Sequence, residues 1–183
     1  MRRLLSCLLA IPLLLAGEPP KVKRTLEAYT LPDVVLLDQT GTRVRLPELL
    51  KGDRPVLIEF IFANCTTICP VMSAGFTNLQ AKLGAKVGSV RMISISIDPE
   101  NDTPAVMAEY LRRYRAKPGW DFLTGPKADI DRVTRAFQAY APNKMDHQPL
   151  TFIHTPKEPK WVRLDGLMSS TELLAQCRAA GVL

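Results

Sequence analysis

The chain has 183 residues, enough for one domain with a sizeable hydrophobic core. Its composition is that of a soluble globular protein, and it contains no internal repeat and no low-complexity block. The net charge of +6 is spread along the chain and does not form the concentrated basic stripe of a nucleic-acid binder, so we expect no nucleic-acid partner.

The N-terminus has the pattern of a secretory signal peptide. Two arginines follow the initiating methionine, residues 4–16 are apolar apart from one serine, and small residues then meet a polar stretch. The apolar run is short for a transmembrane helix, and a short membrane anchor is the alternative interpretation. We therefore predict export, with residues 1–17 as the signal or anchor and residues 18–30 as a linker rich in proline and lysine.

The folded domain is predicted to span residues 31–183. Two short extended runs flank a turn at residues 38–41 and predict a β-hairpin extension at the N-terminal side. The later pattern predicts strands at 56–62, 90–97, 150–153 and 161–164, and helices at 70–83, 103–114, 128–140 and 171–180. Alternating strands and helices that end in a hairpin and a helix indicate an α/β sandwich with a mixed central sheet flanked by helices.

Cys65 and Cys69 stand at the junction between the first central strand and its helix. A thiol at a helix N-terminus has a lowered pKa, because the positive end of the helix dipole favours the thiolate. Thiolates bind soft metals and attack disulfides, so the pair is either a soft-metal site or a redox couple. A thioredoxin-like fold keeps its redox pair at this junction, and we therefore predict a thioredoxin-like sandwich. Three intervening residues are more than the common redox spacing has, and they suit two thiolates that share one ion.

His147 is the predicted third ligand, because it lies in the loop that precedes the strand at 150–153. In a thioredoxin-like fold this loop ends beside the helix that carries the cysteines. Its imidazole would complete a trigonal site of two sulfurs and one nitrogen for copper, with Asp146 orienting the ring or adding negative charge. Four other soft or ligating side chains are interpreted as packing or surface residues, with Cys177 as a buried hydrophobe: Met72, Met145, His154 and Cys177.

Three ordered motifs resemble the Sco/SenC family of copper-binding, thioredoxin-like proteins. They are Cys-Thr-Thr-Ile-Cys-Pro at 65–70, an Asp-Pro segment at 97–104 and Asp-His at 146–147, within a likeness that covers residues 31–183. The resemblance implies an envelope protein that binds one copper ion, Cu(I) or Cu(II), through Cys65, Cys69 and His147. Such proteins help to assemble the dinuclear copper site of cytochrome c oxidase, by delivering copper or by keeping the target's cysteines reduced.

The resemblance also implies a partner and a location. The partner would be the copper-site subunit of cytochrome c oxidase or another envelope protein with thiols or copper. The location would be the periplasm or the outer side of the inner membrane, in association with the membrane surface. Asp98 and Asp102 would be structural or partner-facing. The chain departs from the family pattern at Thr66, where the family has proline, and after His147, where Gln148-Pro149 replaces a hydroxyl residue and a tyrosine-containing strand.

Two other functions stay open at this point. In a thiol–disulfide oxidoreductase, Cys65 would attack a partner disulfide and Cys69 would resolve the mixed intermediate, so both would be catalytic. In a peroxidase, Thr66 and Cys69 would match part of a peroxiredoxin site, but Phe62 stands where that site has proline. Copper binding needs the imidazole of His147 and disulfide exchange does not.

The peptide bond before Pro149 is open to either isomer, with trans as the default.

Overall fold

The computed structural model describes residues 22–183, and the predicted signal or anchor at residues 1–17 lies outside the described residues. A six-stranded mixed sheet forms its centre, and two further strands form a separate antiparallel ribbon. In chain order the strands are β1 (Lys23–Glu27), β2 (Val35–Leu37), β3 (Arg43–Arg45), β4 (Val56–Ile61), β5 (Arg91–Ser96), β6 (Trp120–Leu123), β7 (Leu150–His154) and β8 (Trp161–Asp165). The order across the main sheet is β1-β8-β7-β4-β5-β6, while β2 and β3 make the ribbon, which confirms the predicted hairpin extension.

Between residues 22 and 183, five α-helices cover the sheet on both faces. They are α1 (Leu46–Leu50), α2 (Ile68–Leu83), α3 (Pro104–Arg113), α4 (Lys127–Ala136) and α5 (Ser170–Ala179), with 3-10 segments at Gly84–Ser89 and Lys144–Asp146. Strand β4 is parallel to β5 and antiparallel to β7, so the sheet is mixed as predicted. Among residues 22–183, no helix combines the length and the apolar character needed to cross a membrane.

Strand β4 separates the two halves of the hydrophobic core. Leu57 and Ile61 pack in the cluster that includes side chains of α2, α3 and α5. Ile58 and Phe60 pack on the opposite face, in the cluster that includes side chains of α1, α4 and the ribbon. This alternation follows from the two-residue period of a strand, and burial on both faces explains why β4 is almost continuously apolar.

The structure differs from the predicted linker at residues 18–30, because Lys23–Glu27 form β1 at the edge of the main sheet. The sequence of β1 carries two basic residues and an acidic one and has no apolar alternation. Its pairing comes from the free backbone edge of β8, which a pattern of side chains does not reveal. Strand β6 also escaped prediction, because its four residues are too few to establish a period of two.

Two predicted helix boundaries are corrected. Helix α2 begins at Ile68, two residues before the predicted start, and Cys65 lies in the preceding turn. The cysteines are therefore not one helical turn apart on a single helix. Helix α4 ends at Ala136 and not at residue 140 as predicted, because Gln138 adopts a positive φ of 53°, so Tyr140 lies beyond the helix.

Candidate metal and thiol site

The turn that carries Cys65 is fixed by a buried carboxylate. The backbone N–H of Ala63 donates to both oxygens of Asp102, at 3.2 and 3.3 Å, and the hydroxyl of Ser96 donates to Asp102 at 2.5 Å. The N–H of Cys65 then donates to the carbonyl of Phe62 at 3.1 Å and closes the turn. Burial raises the pKa of Asp102, opposed by these hydrogen bonds. Asp102 is fully buried and thus a structural residue behind the site, which is one of the two roles that the resemblance implied.

The two cysteines have thiols of opposite character. Cys69, in the first turn of α2, is fully buried, whereas Cys65 is 8% exposed. Burial raises the pKa of the Cys69 thiol strongly, with the neighbouring Cys65 adding to the effect. Burial also acts to raise the pKa of the Cys65 thiol, but hydrogen bonds from Cys69 and Thr67 outweigh it, and the net shift is downward. Cys65 is therefore the more reactive sulfur, and Cys69 keeps its proton in the absence of a metal.

The ring of His147 has a defined tautomer. Its Nδ1 lies 2.6 Å from the carbonyl oxygen of Lys144, and a carbonyl only accepts, so Nδ1 carries the hydrogen. Nε2 is left with its lone pair and lies 3.3 Å from Sγ of Cys69. Burial lowers the pKa of His147, although the Lys144 carbonyl opposes this shift, so the ring is neutral at pH 7. A neutral imidazole with its second nitrogen held by a backbone carbonyl is the usual state of a metal-binding histidine.

The segment before His147 is held against the loop between β5 and α3 by an ion pair. The ammonium of Lys144 pairs with Asp98 at 2.5 Å and lies 5.3 Å from the ring centre of Phe62. Phe62 in turn packs edge-to-face against His147, with ring centres 5.4 Å apart. Asp98 thus has a structural contact, which is one of the two roles that the resemblance implied. The prediction that Asp146 orients the ring is wrong, because Asp146 is exposed and the carbonyl of Lys144 takes that place.

The structure brings the three predicted ligands together. One ligand atom each from Cys65, Cys69 and His147 lie within 4.8 Å of one another. Two donors bound to one ion at roughly 2.0–2.3 Å are about 4 Å apart, so the group needs little movement to hold a metal. Two sulfurs and one imidazole nitrogen suit a soft or borderline ion such as copper or zinc.

The other soft side chains lie where the sequence interpretation put them. Met72 and Cys177 are buried in the core, and burial raises the pKa of the Cys177 thiol to about 12. His154 stacks on Trp161, with ring centres 4.8 Å apart. Met145 is 62% exposed two residues before His147. All peptide bonds between residues 22 and 183 are trans, including the bond before Pro149.

Two residues near the site escaped prediction. Lys144 supplies both the carbonyl that holds His147 and the ammonium that pairs with Asp98, and a loop lysine gives no sequence signal for either. Glu59 is fully buried in β4, on the face that packs against α2 and α3. A signal for Glu59 existed, because it is the single charged residue in the apolar run 56–62.

The comparisons with known proteins agree with this geometry. A family model described as SCO1/SenC matches residues 17–180. The chain belongs to the SCO1/SenC family. Among curated SCO1/SenC relatives, the SCO1 protein homolog of Bacillus subtilis is 46% identical over 98 residues, which cover 53% of this chain and 50% of that protein. The matched part thus spans about half the length of this relative, and 62% of a SCO2-like protein from Rickettsia felis that is 34% identical over 131 residues.

Solved structures of SCO1/SenC proteins share the fold. BsSco, a member of the Sco family of cytochrome c oxidase assembly proteins studied for a disulfide switch, is 31% identical with a TM-score of 0.69, over 87% of this chain and 97% of that one. ScoI of Bradyrhizobium japonicum, solved with copper bound, is 30% identical with a TM-score of 0.66, over 80% of this chain and 96% of that one. The predicted thioredoxin-like sandwich is confirmed by these neighbours.

Proposed function

We propose that this SCO1/SenC protein binds one copper ion through Sγ of Cys65, Sγ of Cys69 and Nε2 of His147. The observation that carries the proposal is the lone pair of His147 Nε2, 3.3 Å from Cys69 Sγ in a group of three donors within 4.8 Å. The relative with copper bound supports copper over zinc, because it is 30% identical across most of the chain. The copper would serve assembly of the dinuclear copper site of cytochrome c oxidase, in line with the family to which BsSco belongs.

The two sulfurs and the imidazole nitrogen suit copper in both oxidation states. Copper is here a transported ion and not a resident cofactor of the protein. Two thiolates favour Cu(I), and the imidazole is also a good ligand for Cu(II). Binding requires Cys69 to lose its proton, so copper affinity rises with pH. Cys69 is fully buried in the same core cluster as Phe62, whereas Cys65, at 8% exposure, lies between the exposed residues Asn64 and Thr66. A partner's ligands would therefore approach the ion from the side of Cys65.

A copper titration of the reduced, purified protein tests the proposal. We expect one equivalent to bind, with thiolate-to-copper(II) charge-transfer absorption. His147→Ala should weaken binding roughly tenfold or more, since even outer-shell changes at metal sites cost that much. His154→Ala is the matched control, because its ring packs on Trp161 away from the site, and it should bind like the wild type. Equal binding by His147→Ala would contradict the ligand set.

A second candidate function, thiol–disulfide exchange, is favoured by the opposite pKa shifts of the two cysteines. The Cys65 thiolate would attack one sulfur of a partner disulfide and release the other sulfur as a thiolate. Cys69 would then lose its proton and attack Cys65, leaving an oxidised pair here and a reduced dithiol in the partner. Wild-type rates of disulfide reduction in a His147→Ala protein that no longer binds copper would favour this function over copper delivery.

We infer that the protein works outside the cytoplasm, at the outer side of the membrane, on the oxidase copper-site subunit or another envelope protein with thiols or copper. The signal pattern at residues 1–17 supports this location. Fractionation of cells that express the whole chain, with N-terminal sequencing of the product, separates a cleaved signal from a retained anchor. Recovery of the protein in the cytoplasm would contradict the inference.

A further inference from the structure

Six basic residues that are far apart in the sequence meet at the end of the molecule opposite the metal site. Strand β4 begins at this end, at Val56, and runs toward Cys65, so the length of the central sheet lies between the two ends. Each of the six residues belongs to a different segment of the chain. We call this surface the basic pole, and it consists of Arg54, Lys82, Lys86, Arg91, Lys117 and Arg178.

The 3-10 segment that follows α2 lies at the centre of the basic pole and contacts the neighbouring loops. The guanidinium of Arg54 donates to the carbonyl of Gly88 at 3.1 Å. A Cβ atom at Gly119, two residues after Lys117, would lie 3.4 Å from the carbonyl oxygen of Val87. The loops before β4 and before β6 therefore pack against this segment, and their basic residues share one surface with it.

A cavity of about 390 Å³ opens in the basic pole between the end of α2 and the end of α5. The charged side chains that line it are all basic, namely Lys82, Lys86 and Arg178. Leu83 and Val182 form an apolar wall beside them. Cations next to apolar side chains match the level of a bilayer at which phosphate groups meet acyl chains.

The charge of the basic pole is largely unneutralised. None of its six residues forms an ion pair with another residue between positions 22 and 183. Two carboxylates are nearby: Asp53 precedes Arg54 in the chain, and Asp121 acts on Arg91 but already accepts a hydrogen bond from Gln39. Five of the six basic side chains are exposed, so they are accessible to a partner.

Helix dipoles account for only part of this cluster. Lys82 and Arg178 lie in the last turns of α2 and α5, where the negative end of the dipole favours a base. The other four residues do not lie at the end of an α-helix. Like charges that are close together repel each other and destabilise the folded state. A negatively charged partner would remove this repulsion.

We propose that the basic pole binds anionic phospholipids and holds the protein at a negatively charged membrane surface. Lipid phosphates pair with the three basic side chains of the cavity, while the adjoining glycerol and first acyl carbons contact its apolar wall. An acidic protein surface would match the charge but not the apolar wall. The bound protein presents its metal site away from the lipid, where a partner's domain can reach it. The proposal rests on the proposed location at the membrane and involves neither copper nor thiol chemistry.

This orientation requires that the signal at residues 1–17 is removed. Val22 lies at the metal-site end of the sheet, because a Cβ atom at Gly166 would lie 3.4 Å from its Cα, and the N–H of Gly166 donates to the carbonyl of Pro149. Residues 17–21 can extend over at most roughly 18 Å, whereas the strand β4 alone is about 20 Å long. A retained anchor would therefore hold the opposite end of the domain at the membrane.

Vesicle binding tests the proposal. The protein is purified in the form that remains after cells have processed the whole chain, and no metal is added. Co-sedimentation compares vesicles of phosphatidylcholine with vesicles of equal parts phosphatidylcholine and phosphatidylglycerol. We expect at least ~10-fold tighter binding to the anionic vesicles. Most of this affinity should be lost when the ionic strength rises from about 0.1 M to about 1 M, because the Debye length falls from about 10 Å to about 3 Å.

Paired charge reversals locate the binding surface. Lys82→Glu combined with Lys86→Glu should weaken binding to the anionic vesicles at least ~10-fold, because two attractive charges become repulsive. Circular dichroism checks the fold, and Lys82→Gln with Lys86→Gln replaces this variant if it does not fold. Arg43→Glu combined with Arg132→Glu is the matched control, because it changes the net charge equally at exposed positions of the ribbon and of α4. The control should bind nearly like the wild type.

Four results would overturn the proposal. They are equal binding to neutral and anionic vesicles, equal losses in the two double variants, retention of residues 1–17 in the processed protein, and absence of binding to the anionic vesicles. The last result would favour an acidic protein as the partner of the basic pole. Copper titration and cell fractionation test the proposed function and its location separately, so failure of either leaves the vesicle result standing, and the reverse also holds.

Discussion

Lys144 holds His147 in place with two different groups. Its backbone carbonyl accepts the Nδ1 hydrogen of His147, and its ammonium pairs with Asp98, whose side chain is only 9% exposed. Every residue at this position keeps the backbone carbonyl. A substitution that removes the ammonium also removes the ion pair with Asp98. The side chain of Lys144 therefore acts on copper binding by fixing the position of the loop, and its effect can be separated from that of the ligand itself.

Replacing Lys144 with methionine should weaken copper binding on the order of tenfold, the usual cost of removing a group that orients a ligand. The change leaves Asp98 without its ion-pair partner and frees the loop to move away from Phe62. Competition against a copper chelator measures the affinity. Lys127→Met is the matched control, because its pair with Asp131 is an exposed contact within one helix that contributes little. Equal affinities of Lys144→Met and the wild type would show that the loop is held without the ion pair.

The three cysteines between residues 22 and 183 should differ sharply in reactivity. The Cys65 thiol has a lowered pKa and some exposure, whereas burial raises the pKa of both Cys69 and Cys177. At pH 7.5 we expect iodoacetamide to modify Cys65 at least ~10-fold faster than the other two, since only the thiolate reacts. Peptide mass spectrometry over time gives the three rates. Comparable rates at Cys65 and Cys69 would mean that the two thiols are ionised to a similar extent, which would contradict the opposite pKa shifts.

At the scale of elements, the position of Cys69 depends on how α2 is packed. A Cβ atom at Gly75 of α2 would lie 3.0 Å from a methyl carbon of Leu173, so the missing side chain allows close approach of α5. Helix α5 begins with a capping box, in which Ser169 Oγ accepts from the N–H of Glu172 and the Glu172 carboxylate accepts from Ser169. The start of α5 thus supports the helix that carries Cys69.

Ser169→Ala removes one half of this capping box. We expect the free energy of unfolding to fall by about 1 kcal/mol, because one N–H at the start of α5 loses its acceptor. Copper affinity should stay unchanged, since the site lies at the N-terminus of α2 and α5 remains packed. Urea unfolding measures the stability, with Ser89→Ala, an exposed serine outside the α-helices, as the control. A large loss of copper affinity in Ser169→Ala would show that α5 sets the geometry of the site.

The elements differ in how far their sequence determines them. Strands β4 and β5 and the helix after Cys69 were predictable, because buried strands are apolar throughout and Pro70 favours an early helical position. Strand β1 was not predictable, because it forms through backbone pairing with β8 and its side chains show no strand pattern. Helix α2 begins two residues before the start that the sequence predicts, since Thr67 gives no side-chain cap and the turn is fixed by the distant Asp102.

The candidate site also contains some residues that the sequence predicts and others that it does not. Cys65, Cys69 and His147 could be named from residue type and order, and the structure brings them together. The group that orients His147 could not be identified from the sequence, because it is the backbone carbonyl of Lys144 and every residue has a carbonyl. Asp146 has the charge and the chain position expected of a group that orients the ring, but position along the chain does not determine the direction in which a loop side chain points, and Asp146 is exposed.

At the scale of the whole molecule, Glu59 should make stability depend on pH. Its pKa is about 8 in the folded protein, against 4.5 for the free side chain. Between these values the unfolded chain is ionised while the folded protein keeps the proton, so the folded state binds more protons. The free energy of unfolding therefore falls as pH rises from about 4.5 to about 8, and this contribution is constant above pH 8.

Glu59→Gln should remove this dependence. We expect the variant to be more stable than the wild type by roughly 2–4 kcal/mol at pH 8, with the difference shrinking toward zero near pH 4.5. Urea unfolding of both reduced proteins at pH 5, 6.5 and 8 gives the difference at each pH. His147, whose pKa is lowered by burial, adds its own loss of stability below pH 6.5, but the loss is common to both proteins and cancels. Parallel stability curves for the two proteins would mean that Glu59 ionises in the folded state as it does in water, and a neutral buried carboxyl would be ruled out.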